Sequence, residues 1–157
     1  MTKLNFKIAT INEAEEVFLI HKKSVTSLCR TSYPKEIIDN WFKDRTSEYY
    51  YDSLKNEKIL FAVVEDTKVG FIETAPGEII NLFVLPEFAG KGIGKKLLNL
   101  GLKVALNNSS KTVKIDATLN SVEFYRSAGF IEIGRDVWIS PSKEIKIPIA
   151  TMEFKNI

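Results

Sequence analysis

One cysteine, Cys29, and one histidine, His21, are all that the 157 residues contain of either type. Counting therefore excludes an internal disulfide, a zinc finger and any metal site built on several Cys or His ligands. A site made of carboxylates alone survives the count, but no metal is expected. Long apolar runs are missing too. Nothing approaches the roughly 20 residues that span a bilayer, and the start, Met1-Thr2-Lys3-Leu4-Asn5-Phe6, has no signal-peptide core. The expectation is a cytoplasmic protein with no membrane partner. An excess of one charge is also absent: 22 Lys and Arg stand against 20 Asp and Glu, a net charge of +2. That balance gives no reason to expect nucleic acid as the principal partner.

What is present is ordinary globular material. Apolar residues make up 45% and charged residues 27%, which excludes disordered, collagenous and low-complexity classes. A chain of this length fits one domain, residues 1–157, able to bury roughly 68–70% of its unfolded surface without a disulfide or metal staple.

Hydrophobic periodicity sets the order of elements. Leu4 to Ile8 alternates as a half-buried strand. Thr10 followed by Glu13 is a capping box, and Ala14, Val17, Phe18, Val25 and Leu28 then repeat at helical spacing. Pro34 opens a short helix through Ile37, Ile38, Trp41 and Phe42, whereas Thr46 to Asn56 fits a helix, an extended piece or a lid. Ile59 to Glu65, Lys68 to Thr74 and Glu78 to Leu85 read as strands joined by short turns. A long helix from Ile93 is expected to end at Asn107-Asn108. Thr112 to Asp116 is a strand, Ser121 to Ala128 a short helix, and Phe130 to Ile139 and Ile145 to Phe154 two last strands, the final one weakened by Pro148.

The most informative stretch is Leu82-Phe83-Val84-Leu85-Pro86-Glu87-Phe88-Ala89-Gly90-Lys91-Gly92-Ile93-Gly94-Lys95-Lys96-Leu97-Leu98. A strand, a glycine-rich turn and a helix start make an anion site, because the first helical N–H groups lack intrahelical partners and the helix dipole favours negative charge. Phosphate is the natural guest. Gly90, Gly92 and Gly94 allow close backbone approach, and Lys91, Lys95 and Lys96 add positive charge. A dinucleotide fingerprint fails here, since it would need glycine at Lys95 or Leu97. A P-loop fails as well, needing glycine at Ala89 and a hydroxyl at Lys96.

Residues 82–98 resemble the acetyl-CoA pyrophosphate motif of the GNAT N-acetyltransferase superfamily. A second block of that family is matched by Asn120-Ser121-Val122-Glu123-Phe124-Tyr125-Arg126-Ser127-Ala128-Gly129-Phe130. The resemblance is strongest over residues 78–130. It implies an α/β (α+β) fold, with a mixed, mostly antiparallel central sheet of about seven strands flanked by about four helices. The family motif runs Gln/Arg-x-x-Gly-x-Gly/Ala, and its first position here is Ala89, which removes a side-chain contact and leaves the backbone donors.

The resemblance also implies chemistry: transfer of an acetyl group from acetyl-CoA to a primary amine by direct attack in a ternary complex. It carries the cofactor contacts to Leu82, Phe83, Val84, Ala89, Gly90, Lys91, Gly92, Ile93, Gly94, Lys95, Asn120 and Tyr125. A bulge near Leu82, Phe83 and Val84 is expected to splay the central strand and expose donors for the oxyanion. Tyr125 matches the tyrosine that protonates the leaving thiolate. Because an amine of pKa about 10.4 is almost wholly protonated at pH 7, a base is useful. Glu78 aligns with the glutamate that serves in some members, and Glu73 is the runner-up.

Asn120 with Glu123 also reads as a helix N-cap pair. His21 lies on the apolar stripe of the first helix, where packing is the simpler role, and Cys29 is a redox thiol or acyl acceptor only if its pKa is lowered. The acceptor cleft is expected to border Ser27 to Tyr33, Trp41 and Tyr49-Tyr50-Tyr51. A sensor that binds acyl-CoA without catalysis is the alternative from another class, and dimers are common in the family, so a homodimer is a further expectation.

Overall fold

The computed structural model describes residues 3–106 and 111–156. The alternating Leu-Asn-Phe-Lys-Ile becomes the edge strand β1 (Leu4–Ile8), and the chain then turns through the capping box into α1 (Ala14–Leu28). The Thr10 amide and hydroxyl both donate to Glu13 Oε1, at 2.9 and 3.1 Å. Lys7 and Lys68 each bring Nζ to 2.7 Å from the same carboxylate. Burial acts to raise the Glu13 carboxyl, but the bonds from Lys68, Lys7 and Thr10 outweigh it and hold it at about 2. The start of α1 is thereby tied to two strands.

After α1 come α2 (Lys35–Asn40), a 3-10 turn (Ser47–Tyr50) and α3 (Tyr51–Lys55). The stretch whose sequence left three options thus folds as turn and helix, which brings the described α-helices to five rather than about four. Three strands follow in hairpin succession, β2 (Ile59–Val64), β3 (Thr67–Ala75) and β4 (Glu78–Val84), and then α4 (Ile93–Ala105). The helix end expected at Asn107-Asn108 lies outside the described residues. β5 (Thr112–Thr118), α5 (Val122–Ser127), β6 (Ile131–Ile139) and β7 (Lys146–Lys155) complete the order. No described helix is long and apolar enough to cross a membrane.

The strands form a seven-stranded mixed sheet in the order β1-β2-β3-β4-β5-β7-β6. Every neighbouring pair is antiparallel except β4 and β5, which are parallel and joined at only two positions, Glu78 with Lys114 and Ile79 with Ile115. Beyond Ile79 the two strands part. Residues alternate across the sheet: Ile72 and Thr74 of β3 face α4, where a Cβ on Gly101 would meet both, while Phe71 lies against His21 of α1. The α4 side is closed by Ile93, Leu97, Leu98 and Ala105, all buried in the main core with Ile72, Ile79 and Ile115.

A register shift marks a bulge in β4. Thr74 pairs with Ile79 and Glu73 with Asn81, so Ile80 is the extra residue. In an unbroken strand Glu78 and Asn81 would point to opposite faces; the added residue sets them on the same one.

Gly70 faces Val84 across the β3–β4 ladder. A Cβ there would lie 2.9 Å from the Phe83 carbonyl oxygen and 3.3 Å from Val84 Cα. Gly70→Ala is therefore expected to cost about 1–3 kcal/mol, read as a lower urea midpoint with an unchanged m-value.

Candidate functional site

The parting of β4 from β5 leaves main-chain groups of β4 without a strand partner. Leu85 N–H donates to Val69 O at 2.7 Å. Antiparallel ladders alternate, so Phe83 and Asn81 turn their backbone groups toward β3, and Leu82 and Val84 turn theirs to the gap. The Val84 carbonyl accepts Ser24 Oγ from α1 at 2.9 Å, in keeping with that direction. Of the three residues expected to offer oxyanion donors, Leu82 and Val84 aim N–H groups at the opening, whereas Phe83 contributes its ring.

The glycine turn lies at the end of the same strand. Gly90 and Gly92 have φ of +74° and +85°, values that side chains other than glycine seldom adopt, and Gly92 is the N-cap of α4. The first bond of the helix runs from Lys96 N–H to the Gly92 carbonyl at 3.2 Å. The amides of Ile93, Gly94 and Lys95 thus have no intrahelical acceptor. Gly94 serves packing as well, since a Cβ there would touch the Phe124 ring at 3.5 Å. Ile93 sends its side chain into the core, so it can offer only its amide. Lys91 stands over the Phe88 ring at 5.4 Å.

A cavity of about 420 Å³ runs from this turn along β4 to α5, lined by Leu82, Phe83, Val84, Ala89, Gly90, Gly92, Gly94, Lys95, Asn120 and Tyr125 among others. It has the parts an acyl-CoA requires: unpaired amides and a lysine at one end for the diphosphate, a mainly apolar channel for the pantetheine arm, and gap-facing amides for the thioester carbonyl. Asn120 lies on its wall but does not cap α5. The chain enters that helix through a 3-10 turn, Leu119–Ser121, so Thr118 takes the cap position of the turn and Ser121 that of the helix. Their hydroxyls lie 2.9 Å apart, and Ser121 Oγ donates to the Thr118 carbonyl at 2.8 Å.

A second cleft, of about 140 Å³, opens from the other end of the gap. Leu82, Phe83, Thr118, Ser121 and Tyr125 line both spaces, so the two meet beside the Tyr125 ring. Tyr125 is buried against Phe124 and Phe130, with centroids 5.1 and 5.3 Å away, and burial pushes its phenol well above the usual value. Glu78 lines the second cleft beside Asp116. Although Glu78 is largely open to solvent, partial desolvation and then the charges of Asp116 and Glu73 raise its carboxyl above the ordinary 4.5. Glu73 itself is buried and held by Ser53 Oγ at 2.6 Å and Asn81 Nδ2 at 2.8 Å. It orients Asn81, which lines the cleft.

Trp41 and Tyr49 line this cleft, as does His21, but Tyr50 is buried and Tyr51 lies on the surface. Arg45 cannot accept a hydrogen bond, and its NH1 sits 3.4 Å from His21 Nδ1; that nitrogen is therefore the ring's acceptor. The Tyr50 hydroxyl donates to it at 2.7 Å. Burial, and secondarily the Arg45 charge, lowers His21 well below 6.5, so the ring is neutral. Tyr33 acts as a strut, donating to the Pro148 carbonyl at 2.6 Å and accepting Leu119 N–H at 2.9 Å. Arg45, Asp116 and Trp138 also line the cleft, yet no motif singles them out; only the fold brings residues so far apart in sequence together.

The model of the acetyltransferase (GNAT) domain family matches residues 29–140. An uncharacterized N-acetyltransferase of Archaeoglobus fulgidus is 32% identical over 92 residues, a match covering 52% of this chain and 58% of that protein. The chain thus spans little more than half the length of that relative. The peptidyl-lysine N-acetyltransferase YjaB of Salmonella typhimurium is 26% identical over 133 residues, covering 84% of this chain and 86% of its own. Among solved structures, the PaiA N-acetyltransferase from Thermoplasma acidophilum in complex with coenzyme A superposes with a TM-score of 0.75 at 22% identity, covering 98% and 99% of the two chains. At that identity the likeness concerns the fold.

Cys29 lies in the wall of the larger cavity, where burial, only partly offset by Thr118 and Asn120, pushes its thiol from 9.0 up to about 12. It is protonated at neutral pH and not primed as a redox thiol or acyl acceptor. Alkylation by iodoacetamide at pH 8 is expected to be about 1,000-fold slower in the native protein than in 6 M guanidinium chloride, measured by mass spectrometry.

Proposed function

The chain belongs to the GNAT acetyltransferase family, and from that premise we propose that it moves an acetyl group from acetyl-CoA to a primary amine within a ternary complex. The observation that carries the reading is the meeting of the two spaces beside Tyr125. One ends on the unpaired amides at the start of α4, the other on the carboxylates Glu78 and Asp116.

In this reading the diphosphate of acetyl-CoA binds the amides of Gly92 to Lys95 with Lys95 nearby, and the thioester lies in the gap along Leu82 and Val84. The acetyl group is supplied as an activated thioester. Glu78, acting directly or through a water, takes a proton from the incoming ammonium; its raised carboxyl pKa suits a base better than an ordinary glutamate's would. The free amine attacks the thioester carbonyl, forming the C–N bond, while a gap-facing N–H bonds the developing oxyanion. Glu78 passes that first proton to solvent and then takes the surplus proton from the nitrogen. As the C–S bond breaks, the Tyr125 hydroxyl gives its proton to the departing sulfur and regains one from solvent, which leaves one proton released per turnover. The products are an amide and the free thiol of CoA. Placement in one domain, residues 1–157, and in the cytoplasm belongs to the same proposal.

A sensor that binds acyl-CoA without turnover would need neither a carboxylate-bearing acceptor cleft nor Tyr125 at its junction. The two readings are separated by thiol release from acetyl-CoA across a panel of amines. Tyr125→Phe is expected to lower kcat about 100-fold or more with little change in the KM for acetyl-CoA. In wild type, kcat/KM is expected to fall as pH drops through a carboxyl pKa above 4.5, because protonated Glu78 cannot accept a proton. Glu78→Gln should be slower and should lose that acidic limb. Release of thiol with no amine of the panel, together with tight CoA binding, would favour the sensor.

A further inference from the structure

The acceptor cleft carries charge of both signs, and its single cation is unusually placed. Among the described residues lining it, Arg45 is the only cationic side chain, against Glu78 and Asp116. Its guanidinium lies 4.2 Å from the Tyr49 ring centroid, 5.1 Å from Phe42 and 5.3 Å from Trp138, so aromatic side chains surround it. Such packing fixes a planar fork and strips water from its faces. A half-buried guanidinium is ordinarily met by a carboxylate, but none of the ion pairs among the described residues includes Arg45. Its neighbour Asp44 is bonded instead to the hydroxyls of Ser140 and Ser142, and Glu144 faces Lys43. The polar groups it meets are neutral, His21 Nδ1 through the 3.4 Å contact and the Tyr50 hydroxyl. The donors of Arg45 therefore border the cleft with no anion among the described residues to satisfy them.

We propose that Arg45 binds a carboxylate of the acceptor, so that the substrate is a small amine that also carries a carboxylate, in the manner of an amino acid. The inference rests on the acetyl-transfer reading for its amine and deepens it. In a zwitterion the carboxylate meets the guanidinium in its aromatic frame while the ammonium faces Glu78 and Asp116, each end opposite its countercharge.

The test is thiol release from acetyl-CoA with matched amines: lysine, lysinamide and cadaverine; phenylalanine, phenylalaninamide and phenethylamine; and a lysine peptide blocked at both ends. A dipeptide with a free C-terminus distinguishes a peptide carboxylate from that of a free amino acid. Wild type is expected to favour the carboxylated members by about 10- to 100-fold in kcat/KM, as suits a charged hydrogen-bonded pair. Arg45→Gln should erase that preference by raising their KM, Arg45→Lys should restore part of it, and the KM for acetyl-CoA should stay constant in both, which also verifies folding. Equal turnover of acids and amides, a preference for the blocked peptide, or a uniform loss in Arg45→Gln would overturn the proposal. If no amine is acetylated, the transfer reading fails separately. The carboxylate subsite is then decided by ligand-observed NMR of N-acetylphenylalanine with CoA-saturated protein: saturable binding lost in Arg45→Gln upholds it, and absence of binding overturns it.

Discussion

Two residue pairs hold β4 to β5, and the separation that begins beyond them is the constraint on which the rest of the site depends. A parallel pair that stayed in register would satisfy the amides of Leu82 and Val84 and close the sheet. By parting, the strands leave those amides free and open a passage through the layer, with the glycine turn at one mouth and the acceptor cleft at the other. The bulge at Ile80 sits at the point of divergence and returns Glu78 to the face of Asn81 and Phe83. The splay is supported from outside. Ser24 takes the Val84 carbonyl, and Tyr33 clamps the turn after β5 to the Pro148 carbonyl of β7.

Much of this was readable in the residues, for identifiable reasons. Strands and helices with strong periodicity, such as Leu4 to Ile8 and the helix from Ile93, have one dominant burial face, and the glycines at 90 and 92 mark backbone that other residues would strain to adopt. Thr10 and Glu13 act as a capping box because both partners lie within one turn. The signal weakens where structure depends on distant partners. The segment 46–56 has no periodic stripe, and its 3-10 turn and helix are anchored by Tyr50 on His21 and Ser53 on Glu73, contacts across 29 and 20 residues. Asn120 looked like a cap because Glu123 follows it, but the preceding 3-10 turn gives the cap positions to Thr118 and Ser121. Arg45 and Trp138 are brought together only by tertiary folding.

Electrostatic tuning in the site follows burial more than pairing. Tyr125 and Cys29 stay protonated because no nearby cation compensates their desolvation, whereas His21 stays neutral because burial and Arg45 both oppose a second proton. Glu78 keeps contact with solvent, yet partial desolvation, and after it the charges of Asp116 and Glu73, raise its carboxyl as well. Tyr125 thus stands at the junction with its proton held, and Glu78 lies in the second cleft with its carboxyl raised, the two groups on which the proposed transfer draws.

In the proposed reaction, unpaired amides at the start of α4 seat a diphosphate and so bring a CoA thioester to the gap beside Tyr125. Isothermal calorimetry with CoA and with pantetheine, which lacks the nucleotide and diphosphate, tests it directly. Saturable binding of CoA, with pantetheine weaker by about 100-fold or more, is the predicted result. Heat indistinguishable from dilution at millimolar CoA, or equal affinity for the two ligands, would contradict it.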